Sequence, residues 1–204
     1  MNNSVGLRGS LVRLVPLDVG VHLENTTRWL QDPVVTQYLE HNMPMTRLKE
    51  ESYFRRMMAS ATDAIWAVED LAGVHIGNTT LQHINWKERY ATSATLLGDR
   101  GSWGKGYALD AGRVKSRYAF DDLGLNRLEA EVFVENTACC RLCERAGWRR
   151  EGIARHKYFR KGRWHDVARY AILAEDYYHA RGDEPQSSAD PEQSGRLLPH
   201  DQPR

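Results

Sequence analysis

The stretch GDRGSWGKGYALDAG, residues 98–112, constrains this chain more than any other, because it packs five glycines into fifteen residues at the junction of two different periods. Upstream, YATSATLLG (90–98) has strand character. Downstream, Tyr107, Ala111, Val114 and Tyr118 recur at i, i+4, i+7 and i+11, which is one face of a helix. Beyond that helix, NRLEAEVFV (126–134) places Leu128, Ala130, Val132 and Val134 on one side of another strand. Strand, glycine loop, helix and strand in that order form the crossover that a parallel strand pair requires.

The remaining segments fit around this unit. SLVRLVPL (10–17) alternates as a strand, and VGVHLENTTRWLQD and RLKEESYFRRMMASA carry helical periodicity. AIWAVED (64–70) and VHIGNTTLQHIN (74–85) are strand-like, with Gly73 and WKERY at the turns. NTACCRLCERAG is a short helix ended by Gly147, and WRREGIARHKYF and WHDVARYAIL are two last strands joined by RKGR. The expected order is strand, two helices, three strands, helix, strand, helix, two strands, a mixed α/β layer. One domain over 1–180 accommodates it. Residues 181–204 hold four of the seven prolines and no aromatic residue, so a disordered tail is expected there.

With 28 Lys+Arg against 27 Asp+Glu, the net charge of +1 gives no global attraction to nucleic acid, membrane or an acidic partner. The N-terminal stretch MNNSVGLRGSLVRL has no long apolar h-region, and no window approaches the roughly 18 apolar residues of a membrane span, so a soluble intracellular protein is expected. Three clustered cysteines, Cys139, Cys140 and Cys143, suit a reducing cytoplasm rather than a disulfide framework. Function must therefore come from local sites.

The glycine loop is the first of them. Glycine permits close approach to the backbone, and a helix N-terminus beside such a loop attracts phosphate. A plain flexible connection is the competing reading. Two nucleotide fingerprints are excluded: Tyr107 follows Gly106 where a P-loop needs Lys, and Leu109 and Asp110 stand where the dinucleotide motif needs its last glycine.

WGKGYALDA, followed by NRLEAEVFVENTACCRLCERAGWRREGIARHKYFRKGRWHDVARYAIL, resembles the second half of GNAT acetyltransferases of the RimJ/RimL type. RWLQDPVVTQYL and IGNTTLQHINW resemble that family's first helix and third strand, so the similarity spans about residues 10–174. The resemblance implies a mixed, twisted seven-stranded sheet with a splayed central strand pair and about four flanking helices. It implies acetyl-CoA as co-substrate, no metal, and direct acetyl transfer to a primary amine of a small molecule, aminosugar, polyamine or protein N-terminus. A homodimer is compatible with it.

Carried over by position, Trp103, Gly104, Lys105, Gly106 and Tyr107 form the pyrophosphate loop. Leu96 and Leu97 offer backbone groups to the pantetheine arm, with the Leu97 N–H polarising the thioester carbonyl. Asn136 reaches the cofactor, although an N-cap is the commoner use of such an Asn. Arg141 meets a CoA phosphate or is simply solvated.

The departures bear on catalysis. Where many relatives carry a Tyr that reprotonates the leaving thiolate, this chain has Cys143, which serves as acid or as packing. Cys139 is a second donor, with Tyr158 or water behind it. Thr92 stands where relatives have a strand Glu, leaving Glu129, Glu131, Glu135 and His83 as candidate bases. Strand parity puts those three carboxylates on one side. The hairpin with Arg155, His156, Lys157, Arg160, Lys161 and Arg163 is a solvated basic turn or a subsite for an acidic group. Because the usual Tyr and Glu are missing, a non-catalytic acyl-CoA sensor on the same scaffold is the alternative.

Overall fold

The computed structural model describes residues 7–39 and 45–182. Its elements are β1 (Leu7–Arg8), β2 (Val12–Pro16), α1 (Val19–Gln31), α2 (Arg47–Met58), β3 (Ala64–Asp70), β4 (His75–Asn85), β5 (Tyr90–Leu97), α3 (Tyr107–Arg117), β6 (Arg127–Phe133), α4 (Thr137–Arg145), β7 (Arg149–Arg160), β8 (Arg163–Leu173) and α5 (Ala174–Arg181). The strands form one open sheet in the order β1-β2-β3-β4-β5-β6-β8-β7. Every adjacent pair is antiparallel except β5 and β6, the two strands joined through α3. The glycine junction thus sits in the crossover that its flanking periods demand.

The expected sheet of seven strands has an eighth. The run at 10–17 is not one strand from its first residue: Leu7 and Arg8 pair back on Leu14 and Arg13 across a turn at Gly9–Leu11. Two residues are too short to show a period. What fixes them is remote in sequence, since the Asp110 carboxylate accepts from the N–H groups of Ser10, Leu11 and Val12 at 3.2, 2.7 and 3.0 Å. A Cβ at Gly9 would lie 2.3 Å from an Asp110 carboxylate oxygen, so only glycine fits that approach. A fifth helix, α5, adds to the four expected; none of its residues is fully buried, so it offers no apolar stripe to read. The expected tail falls on residues 183–204, outside the described residues, apart from its first two positions, which lie at the end of α5 and the turn after it.

The sheet buries both faces. On one, α1 and α2 cover a core of Leu17, Leu23, Phe54, Met57 and Ile65. On the other, Ala111 and Val114 of α3 meet Val12, Leu14, Val68 and Ile76. Cys143 of α4 packs on that same side against Val132, Ala168 and Tyr170.

Candidate active site

The site begins where the sheet stops closing. β5 and β6 pair only from Tyr90 to Thr92, against Arg127 to Glu129. Past that point each strand keeps its outer partner, β4 or β8, and the two run apart into a fork. Ala94 and Thr95 are exposed there, in the middle of the sheet. Gly98 N–H donates to Ile76 C=O at 3.0 Å. Antiparallel alternation from that pair turns the backbone groups of Ala94 and Leu96 toward β4, and those of Thr95 and Leu97 into the fork. The expectation for Leu96 is therefore corrected: its backbone is spent on the β4 ladder. The Leu97 C=O accepts the Trp103 indole N–H at 2.9 Å, and the Leu97 N–H faces the opening.

The glycine loop stands at the mouth of the fork. The Asp99 carboxylate accepts from Gly101 N–H at 3.3 Å and from the Ser102 hydroxyl at 2.5 Å, which fixes the approach. Trp103, Gly104, Lys105 and Gly106 are all exposed. Gly104 and Gly106 have φ of +76° and +88°, a region that favours glycine, and a Cβ at Gly104 would meet nothing within 4 Å. α1, α2 and α4 are capped by Asp18, Thr46 and Asn136, whereas α3 starts at Gly106 with no side-chain cap. Its first N–H groups and positive dipole end are left for an anion. Asp110 in that first turn does not compete, because its carboxylate is turned to the β1–β2 turn. A pyrophosphate fits this loop on charge, exposure and backbone geometry.

On the far lip, the side chain of Asn136 accepts from Cys139 N–H at 3.2 Å, so Asn136 is an N-cap. Arg141 is exposed on α4. Cys143 is 6% exposed, and its thiol is pushed up by the hydrogen bond to Cys139 and by burial. The same hydrogen bond lowers the pKa of Cys139, which is half-buried and the more acidic of the two.

The carboxylates expected to share one strand face are already engaged. Glu129 holds Arg127 at 2.6 Å, and Glu131 holds Lys157 at 2.5 Å. Glu135 lies past the end of β6, in a turn, so strand parity does not apply to it. One of its oxygens is 2.9 Å from Nδ1 of the buried His165, and its backbone carbonyl accepts the Tyr38 hydroxyl at 3.3 Å. Phe133 stacks on Tyr158 and meets Tyr38 and His165, which makes an aromatic wall beside that pair. His83 is exposed on β4 with φ of +53°, its N–H donating to Asp63 at 3.0 Å.

Two residues escaped sequence reasoning. His165 sits in an ordinary strand run and gives no signal until the Glu135 turn meets it. Lys115 stands one position from the α3 stripe, where a lysine carries no sign of burial, yet it is 1% exposed. Its Nζ donates to Thr79 Oγ1, Thr80 C=O, Ala94 C=O and Thr95 Oγ1 at 2.7, 3.2, 2.7 and 3.1 Å, tying α3 to β4 and β5 where the fork opens.

The Acetyltransferase (GNAT) domain family model matches residues 12–149. The chain is 38% identical over 160 residues to a Bacillus licheniformis protein named Uncharacterized N-acetyltransferase p20, covering 74% of this chain and 86% of that one. It is 41% identical over 91 residues to the Probable N-acetyltransferase YjcK of Bacillus subtilis, covering 43% of this chain and 50% of that one. Among solved structures, spermidine N-acetyltransferase from Vibrio cholerae in complex with CoA and spermine superposes with a TM-score of 0.76 at 25% identity, over 81% of this chain and 97% of that one.

Proposed function

Since this chain belongs to the GNAT acetyltransferases, we propose that it is a single-domain enzyme of the RimJ/RimL type that moves the acetyl group of acetyl-CoA directly to a primary amine. The observation that carries this reading is the β5–β6 fork with the uncapped, glycine-bounded start of α3 at its mouth. Backbone N–H groups from Gly104 to Tyr107 hold the pyrophosphate, with Trp103 and Lys105 at its sides. Acetyl-CoA, when bound, supplies an acetyl group already activated as a thioester, so no covalent enzyme intermediate is needed. The Leu97 N–H is the donor for an oxygen in the fork, the role that preorganised backbone donors play in acyl transfer.

An amine arriving as ammonium must lose a proton before it can attack. Glu135, oriented by His165, is the carboxylate we assign to that step, directly or through a water. Cys139 holds the proton for the departing thiolate, being the more acidic and more accessible of the two bonded thiols. Cys143 supports it from the core.

The test is thiol release from acetyl-CoA with a panel of amines, spermidine included because similar structures act on it. Amine-dependent release is the expected result. Acetyl-CoA binding with no release for any amine would return the chain to the sensor reading.

A further inference from the structure

The α1/α2 face of the sheet holds a buried acid that the transfer chemistry leaves unused. Glu50 lies on the inner face of α2, one turn before Phe54, and is 3% exposed. Among the described residues, no hydrogen bond or ion pair reaches its carboxylate, and burial alone pushes its pKa up to about 7. Buried carboxylates are ordinarily paired, because the charge is costly to desolvate.

Two hydroxyls share this condition, the buried and unpartnered Thr27 Oγ1 and Thr80 Oγ1. Thr80 points to the α1/α2 face, since its neighbour Thr79 bonds Lys115 on the other side. It is registered beside Ile65, which shares a core cluster with Phe54. Thr27 follows Leu23 of that same cluster by one turn of α1. Tyr53 carries the connection to the fork. Burial, and after it the charge of Glu50, raises the pKa of its hydroxyl, which accepts from Gln82 Nε2 at 2.9 Å. Gln82 stands opposite Thr92, the last residue of β5 to pair with β6.

We propose that Glu50 binds a second ammonium group of the acceptor, so that the enzyme selects di- and polyamines over monoamines. An ammonium delivered there restores the missing ion pair, while the reacting amine occupies the fork. Glu50 is a specificity residue and takes no part in proton transfer. This inference rests on the amine-transfer reading above.

The test compares the full-length protein with its Glu50→Gln variant, using spermidine and butylamine as acceptors. In the variant, KM for spermidine should rise at least about tenfold, as expected when one partner of a buried charge pair is lost. kcat and KM for butylamine should stay within about threefold, since a monoamine has no second ammonium to place at Glu50. Calorimetry of spermidine into the CoA-loaded protein should show the same weakening, with acetyl-CoA affinity unchanged. Glu50→Leu carries the same expectation if the amide fails to fold by thermal melting. Equal spermidine parameters in variant and wild type, a parallel loss for both amines, or a wild-type preference for butylamine would overturn the subsite. Spermidine binding that depends on Glu50 without transfer to any amine would leave the subsite standing and sink the transfer reading instead.

Discussion

Among the described residues, the two faces of the sheet each bury one charged side chain with no oppositely charged partner, and they treat it in opposite ways. Under α3, Lys115 is surrounded by four oxygen acceptors from β4 and β5. Under α2, Glu50 has none among the described residues. Both are desolvated, and both have a pKa moved to about 7, the lysine downward and the carboxylate upward. A buried charge with every proton placed is part of the scaffold, here a brace on the strand that forms one lip of the fork. A buried charge with nothing placed around it costs stability, and such a cost persists most readily where function uses it.

The comparison breaks most visibly if the two faces cannot be perturbed separately. Gly104→Val forces a β-branched residue into φ of +76° on the cofactor side. We expect acetyl-CoA affinity measured by calorimetry to fall by about a thousandfold or more, some 4 kcal/mol, while spermidine affinity holds. Unchanged acetyl-CoA affinity would remove the loop from the site.

Next in size are the two charges themselves. Lys115→Ala leaves a cavity and four oxygens without their donor, and should cost about 3 kcal/mol in denaturant unfolding. Glu50→Gln should act with the opposite sign, gaining about 2 kcal/mol at pH 8 because a desolvated charge is replaced by a neutral amide. Destabilisation by both would mean that Glu50 is as well satisfied as Lys115, and the contrast would fail.

The pH dependence sharpens the same contrast. The folded-state pKa of Glu50 lies above its usual 4.5, so between about pH 4.5 and 7 the folded protein holds a proton that the unfolded chain has released. Its contribution to stability therefore falls as pH rises through that window. The folded-state pKa of Lys115 lies below its usual 10.5, so between about pH 7 and 10.5 the unfolded chain holds the extra proton and stability rises with pH. Subtracting the Glu50→Gln and Lys115→Ala unfolding curves from wild type should isolate two slopes of opposite sign in adjacent windows. A single common slope would contradict the assignment.

The smallest effect belongs to Cys143. Buried against Val132, Ala168 and Tyr170, it should cost about 1 kcal/mol when replaced by alanine. Cys143→Ala should leave the acetylation rate within about threefold of wild type, whereas Cys139→Ala should lower it by the 10²-fold or more typical of a lost general acid. A large rate loss in the first variant alone would exchange the roles of the two thiols.

The sequence by itself determined the order of elements, the crossover and the glycine-bounded start of α3, because periodicity and glycine placement are properties of neighbouring residues. The runs at 64–70 and 90–98 became β3 and β5 almost to the residue. It left undecided whatever depends on partners distant in the chain. Strand alternation gives two directions for a backbone N–H, and only the register of β5 on β4 turned Leu97 into the fork and Leu96 away from it. The capping role of Asn136 could be written down from its position before α4, but Glu135 found His165, 30 residues on, only when β8 paired with β6. Lys115 and Glu50 look like any solvated charge on an amphipathic helix. Packing alone removed both from water, gave one its acceptors and left the other without, and desolvation is a property of the assembled fold that no local pattern carries.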